Sequence, residues 1–179
     1  VDTRIILSDA LMKMVKLEGN GNAGITISGE VNVTDTIYSD DITDIIISGN
    51  GTLNTSGIIT EGTVTIEGGS LVIDASNTGA AAIEAENVVI KGGNVKATGG
   101  EGSPAISSSN NVTISDGDFT VAGGTGSAGR IADRVTIIGG NVTVTGGAGN
   151  TAGINADKVT ITGGTVSVTG QGDQPAIKA

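Results

Sequence analysis

Few residues in this 179-residue chain have the chemistry to act on a substrate. It has no His and no Cys, so it lacks a general base poised near neutrality, a thiolate, a disulfide framework and the commonest transition-metal ligands. Acid dominates what remains, with 19 Asp and Glu against 9 Lys and Arg and a net charge of −10. The densest acidic stretch is YSDDITD, which holds Asp40, Asp41 and Asp44, with Asp35 a few residues earlier. Hard oxygen ligands of this type suit Ca²⁺, although their spacing is not that of an EF-hand loop. Asp40, Asp41 and Asp44 are therefore the candidate metal ligands and Ca²⁺ the candidate cofactor. A solvated acidic turn is the competing reading.

Paired carboxylates would serve glycoside hydrolysis if two of them faced each other across a bond. Glu84 and Glu86 lie close in sequence, and Asp133 and Asp157 recur at matching places further on. A lyase acting on acidic sugars would need a Lys or Arg base beside bound Ca²⁺. The basic residues are scattered instead: Lys91, Lys96, Arg130, Arg134, Lys158 and Lys178. No acid–base constellation repeats, so the expectation is a chain without catalysis. The negative charge disfavours nucleic acid and anionic membranes as partners. No apolar run is long enough to span a bilayer. Sugar-stacking aromatics are nearly absent. Tyr38 and Phe119 are the only ones, and Phe119 aligns with Val142 and Val166 of a repeat, which marks it as core.

That repeat must position everything else. From Val64 onward, V-T-I-x-G-G-x-V-x-V copies start at residues 64, 88, 112, 135 and 159, at intervals of 24, 24, 23 and 24. Shorter copies start at 25 and 45. A fixed period in this range is the mark of stacked-repeat architecture. Within each copy the apolar residues alternate, as in Val135-Thr136-Ile137 and Val142-Thr143-Val144, with a Gly pair between. A third short segment recurs in step: AAIEA at 81–85, PAISS at 104–108, AGINA at 152–156 and PAIKA at 175–179.

Three short strands per coil in about seven coils of 19–24 residues predict an all-β, single-stranded parallel β-helix over 25–179. An antiparallel meander built on Gly-Gly hairpins also explains the Gly pairs, but not the third segment. Arg130 falls where Ile154 stands in the next copy, and a local shift that turns Ile131 inward is expected there. Outward Thr26, Thr65, Thr113, Thr136 and Thr160 form a column, with Thr120 and Thr143 on the neighbouring face. Flat Thr arrays can order ice-like water, but Thr is also a common choice on exposed strands. Five N-x-S/T sequons, at Asn32, Asn50, Asn54, Asn111 and Asn141, follow largely from the N-V-T-rich repeat.

Residues 1–24 stand apart and are expected to cap the stack. Residues 4–7 would form a strand, and residues 8–17 a helix with Leu11, Met14 and Val15 on one face. At the other end, Pro175, Ala176, Ile177, Lys178 and Ala179 lie in strand register. They are expected to form an assembly edge for another strand or chain.

The V-T-I-x-G-G-x-V-x-V-T-G-G-x-G-x-x-A-I repeat resembles those of secreted surface proteins of Gram-positive anaerobes. It is similar to a family of pectin-lyase-like, carbohydrate-binding β-helices. The resemblance covers about residues 64–179 and more weakly 25–63. It implies an extracellular location, bound Ca²⁺ and polysaccharide affinity, and no ligand residue carries over individually. The start at Val1, without Met, fits a mature exported protein. Together these readings predict a non-catalytic extracellular structural solenoid that associates with itself end to end or with neighbouring repeats. The alternative is a polysaccharide-binding module with Ca²⁺ support.

Overall fold

The computed structural model describes residues 3–18, 21–39, 41 and 43–179, with the backbone alone at Arg130 and Ile131. Among the described residues it is all β. In chain order the strands are β1 (Thr3–Met12), β2 (Val15–Leu17), β3 (Gly21–Ser39), β4 (Thr43–Gly49), β5 (Thr52–Ile59) and β6 (Thr63–Ile66). Then come β7 (Ser70–Asp74), β8 (Ile83–Ala85), β9 (Asn87–Ile90), β10 (Asn94–Thr98), β11 (Ile106–Ser108) and β12 (Asn111–Ile114). The last are β13 (Asp118–Ala122), β14 (Arg130–Ile137), β15 (Asn141–Thr145), β16 (Ile154–Ile161), β17 (Thr165–Thr169) and β18 (Ile177–Lys178).

Every pairing between these strands is parallel, and each joins one coil to the next. The one antiparallel contact among the described residues is an isolated bridge between Thr151 and Gln171. Parallel pairing excludes the meander. The chain is a parallel β-solenoid of about seven turns, rising about 4.8 Å per turn.

Its core follows from the period-two pattern. Alternate residues of each short strand point inward, and stacking places them over their counterparts. Val64, Val88, Val112 and Val135 stack in one column, and Ile66, Ile90, Ile114 and Ile137 in the next; all are fully buried. Leu71, Val95, Phe119 and Val142 form the column after the Gly-Gly bend. Ile58, Ile83 and Ile106 stack on the third side, where the A-I segments were expected. No single coil can cover its own apolar face, so burial and stacking are one event.

The bends need glycine at particular points. Gly93, Gly117, Gly140 and Gly164 stack with φ between +82° and +96°, a region that side chains disfavour. The T-G-G-x-G loops also stack. Gly124 N–H donates to Ser103 O at 3.0 Å and Gly147 N–H to Ser127 O at 2.8 Å. A Cβ on Gly124 would fall onto the carbonyl oxygen of Gly100.

Three expectations are corrected. The segment at residues 8–17 is not helical: it runs through β1 and β2, which pair with β3 as a further coil. Met12 and Val15 pack toward the core, whereas Leu11 and Met14 face solvent at 78% and 44% exposure. The coil that begins at 25 is two residues out of the expected alignment. Ile25 pairs with Ile47 and Ala23 with Ile45, so Thr26 pairs with Ser48 and lies outside the Thr65 column, where Gly24 and Ile46 stand instead. At Arg130 the backbone takes no local shift, since Arg130 itself is in register with Ile106 and Ile154.

Candidate functional site

The acidic stretch at the corner between the third and first sides is used by the fold. Asp44 Oδ1 accepts the Thr63 backbone N–H at 2.7 Å, tying one coil to the next. Asp41 N–H donates to Ser39 Oγ at 3.3 Å, and the Asp41 carbonyl accepts Thr43 N–H at 2.8 Å. The Asp35 carbonyl accepts Thr55 Oγ1 at 2.9 Å. Asp40 lies outside the described residues. Among those described, no three His, Cys, Asp or Glu side chains converge as a metal site would require.

The periodic carboxylates meet at the same corner, on the coils that follow. Glu61, Glu84 and Glu86 line one shallow groove at the corner between the third and first sides, with Thr60, Ser107, Ser108 and Ser109. Glu61 was not anticipated; its signal was its position about one period before Glu84. Two of the four hydroxyls in this groove are engaged by backbone. Thr60 Oγ1 donates to Thr43 O at 2.6 Å, and Ser108 Oγ donates to Glu86 O at 2.7 Å. No basic side chain is among the groove's lining residues. All three carboxylates are exposed. What the arrangement offers is a solvated acidic strip rather than a nucleophile with a base.

The basic residues are equally dispersed. Lys91 pairs with Glu67 across adjacent coils at 3.1 Å, and Lys16 with Glu18 at 3.3 Å. Arg134 stacks in register with Lys158, so these two cations neighbour each other in one column. Lys96 is in register with Thr120 on the outward side of the second face. Tyr38 carries Lys16 Nζ at 5.8 Å from its ring centroid and is half-buried. Phe119 is fully buried, as its alignment with Val142 requires.

The outward faces are ladders of polar side chains. Asn54 donates its amide to Asn32 Oδ1 at 2.8 Å, Asn111 to Asn87 Oδ1 at 3.1 Å, and Asn141 to Asp118 Oδ1 at 2.7 Å. Four of the five sequon asparagines are thus engaged between coils, and Asn50 sits exposed in a turn. Thr65, Thr113, Thr136 and Thr160 are half-buried, with Val89 between the first two, so the face is a mixed one.

The inward positions lose their cover on the first coil, at Ile5, Leu7, Ala10, Met12 and Val15, and on the last. Val159, Val166, Val168 and Ile177 are only partly buried, and Ile161 is 45% exposed. Their neighbours one coil back, Val135, Val142, Val144, Ile154 and Ile137, are at most 1% exposed. Ile177 and Lys178 form β18 against Ile154 and Asn155, and Ala176 O accepts Ile154 N–H at 2.9 Å. Pro175 and Ala179 are exposed.

Fold and surface define a class, a parallel β-solenoid repeat protein with polar faces and an apolar end face. Comparison with protein-family models, with curated proteins and with solved structures returns no match. Among the described residues, no helix is long and apolar enough to cross a membrane.

Proposed function

We propose that the chain is a non-catalytic structural solenoid, exported to the cell surface or beyond, which associates end to end through its terminal coils. The observation that carries this reading is the exposed apolar face formed by Val159, Ile161, Val166, Val168 and Ile177. Each ends a column whose members between the first and last coils are buried among the described side chains. An edge of this kind offers unpaired strand backbone together with side chains of the right spacing. A heterologous contact that does not close yields a rod or filament. The dispersed charges and the backbone-bound Thr60 and Ser108 hydroxyls of the acidic groove support a role without catalysis. The likeness of the repeat to those of secreted surface proteins supports the location.

The test is light scattering and negative-stain electron microscopy of the untagged chain across a concentration series. Rods that lengthen with concentration are expected. Monodisperse monomers that sediment with acidic polysaccharide, and lose it on chelation of Ca²⁺, would replace this reading with a carbohydrate-binding one.

A further inference from the structure

We propose that the partner on this end face is a second copy of the chain, seated in one register. Its first coil continues the inward columns of the last, with Ile5 over Ile161, Ala10 over Val166, Met12 over Val168 and Val15 over Ile177. The inference rests on the end-to-end reading above and fixes its geometry.

Column identity is the first argument. Ile5 opens a column that continues through Ile25, Ile47, Ile66, Ile90, Ile114 and Ile137 to Ile161. Ala10 opens another that continues through Val31, Leu53, Leu71, Val95, Phe119 and Val142 to Val166. Both ends of each column are incompletely covered, since Ile5, Leu7, Ala10, Met12 and Val15 are only partly buried. Translation along the axis places apolar on apolar at these positions on all three sides, and Thr3 over Val159.

Corner length is the second. From Ile5 to Ala10 the chain takes five residues, the same as from Ile161 to Val166. The first coil's own neighbour takes six, from Ile25 to Val31, and the difference is absorbed as a register irregularity between Ser8 and Ala10. At this corner the first coil therefore matches the last coil better than the coil it sits on.

In the proposed register the short corner from Met12 to Val15 lies over the nine-residue loop from Val168 to Ile177. The chain already tolerates that step: the three residues from Thr55 to Ile58 stack on the ten from Ile73 to Ile83, in register on both sides. On the outer surface the same register brings Lys178 beside Lys16 and Thr160 beside Arg4 of the next copy.

The chain has no Cys, so engineered thiols report the register directly. Arg4 and Thr160 stand in one outward column, seven coil steps apart. That is about 34 Å within one molecule, beyond disulfide reach, but about 5 Å across the junction, within it. The Arg4→Cys/Thr160→Cys double variant is expected to give a covalent ladder of multimers on mild oxidation. Ile6→Cys/Thr160→Cys, displaced by two residues on the same face, is expected to give none. Circular dichroism of the reduced forms checks that both variants fold.

Lys178→Glu is expected to lower the concentration for assembly roughly two- to fivefold by placing an acid beside Lys16. Rods that cross-link through Ile6→Cys/Thr160→Cys, or through neither pair, overturn the register and leave end-to-end association standing. So does Lys178→Glu assembling no more readily than the unmodified chain. Monomers at every concentration overturn both.

Discussion

Phe119 stands directly over Val95 in the inward column that follows the Gly-Gly bend, and Val142 stands on its other side. It is the one aromatic in a column of Val and Leu, and it is fully buried. Phe119→Ala is expected to destabilise the chain by about 3–5 kcal/mol, because neighbouring coils held by backbone ladders cannot collapse into the space. Phe119→Leu is expected to cost less than about 1.5 kcal/mol, since Leu already occupies the same column at Leu53 and Leu71. Urea unfolding followed by circular dichroism measures both. Equal losses for the two substitutions would show that the column is not packed to its side chains.

The stacked loops give a graded test of where glycine is needed for space. At Gly124 a Cβ meets the Gly100 carbonyl, so Gly124→Ala must push neighbouring coils apart and is expected to cost about 1–3 kcal/mol. Gly102 has φ +72° but open space around it, so Gly102→Ala carries backbone strain alone, about 1 kcal/mol. Gly79 has neither constraint, and Gly79→Ala is expected to be neutral or to stabilise by up to about 1 kcal/mol. Melting temperatures that fail to follow this order would contradict the loop stack.

Asp44 separates two readings of the acidic corner. Its Oδ1 holds the Thr63 N–H at 2.7 Å. Asp44→Ala is expected to lose about 1–2 kcal/mol, and Asp44→Asn, which keeps a carbonyl acceptor, to lose less. Neither loss should depend on Ca²⁺. A melting temperature that rises with Ca²⁺ in the parent chain and not in Asp44→Asn would support the metal reading of Asp40, Asp41 and Asp44.

How far the sequence spoke depended on how clean its period was. From Val64 on, Val, Ile and Gly recur at nearly constant spacing, and the alignment gives the observed register residue for residue. In the coil at 45 the run Ile45-Ile46-Ile47 fits its neighbour equally well at two offsets of the same parity. Only the corner length decides, and that left the Ile25 coil misaligned by two. In β1 the irregularity at Asp9, whose φ is +43°, breaks the alternation between Leu7 and Ala10. Leu11, Met14 and Val15 then mimic a helical face. Stacking on β3 overrides helix propensity there, because the inward positions gain burial only as a strand. The acidic groove stayed hidden because Glu61 belongs to a short, imperfect copy. The end face was visible as strand-forming sequence at residues 175–179, but its breadth across Val159, Ile161, Val166 and Val168 needed the stacked structure.

The end face predicts a separation of assembly from stability. Ile161 is 45% exposed and Ile137, its column neighbour, is fully buried. A carboxylate at the buried position has no partner, so Ile137→Glu is expected to unfold the coil or cost more than about 4 kcal/mol. Ile161→Glu already has access to water and is expected to cost less than about 1 kcal/mol in urea unfolding of the monomer. In an end-to-end rod, however, Ile161 occupies an interior position like that of Ile137, and its carboxylate would be desolvated against the next copy. Ile161→Glu should therefore melt like the parent at low concentration and form no rods at concentrations where the parent does. If it assembles normally, the apolar face of the last coil is not the contact, and the outward Thr and Asn ladders become the surfaces to test for lateral association.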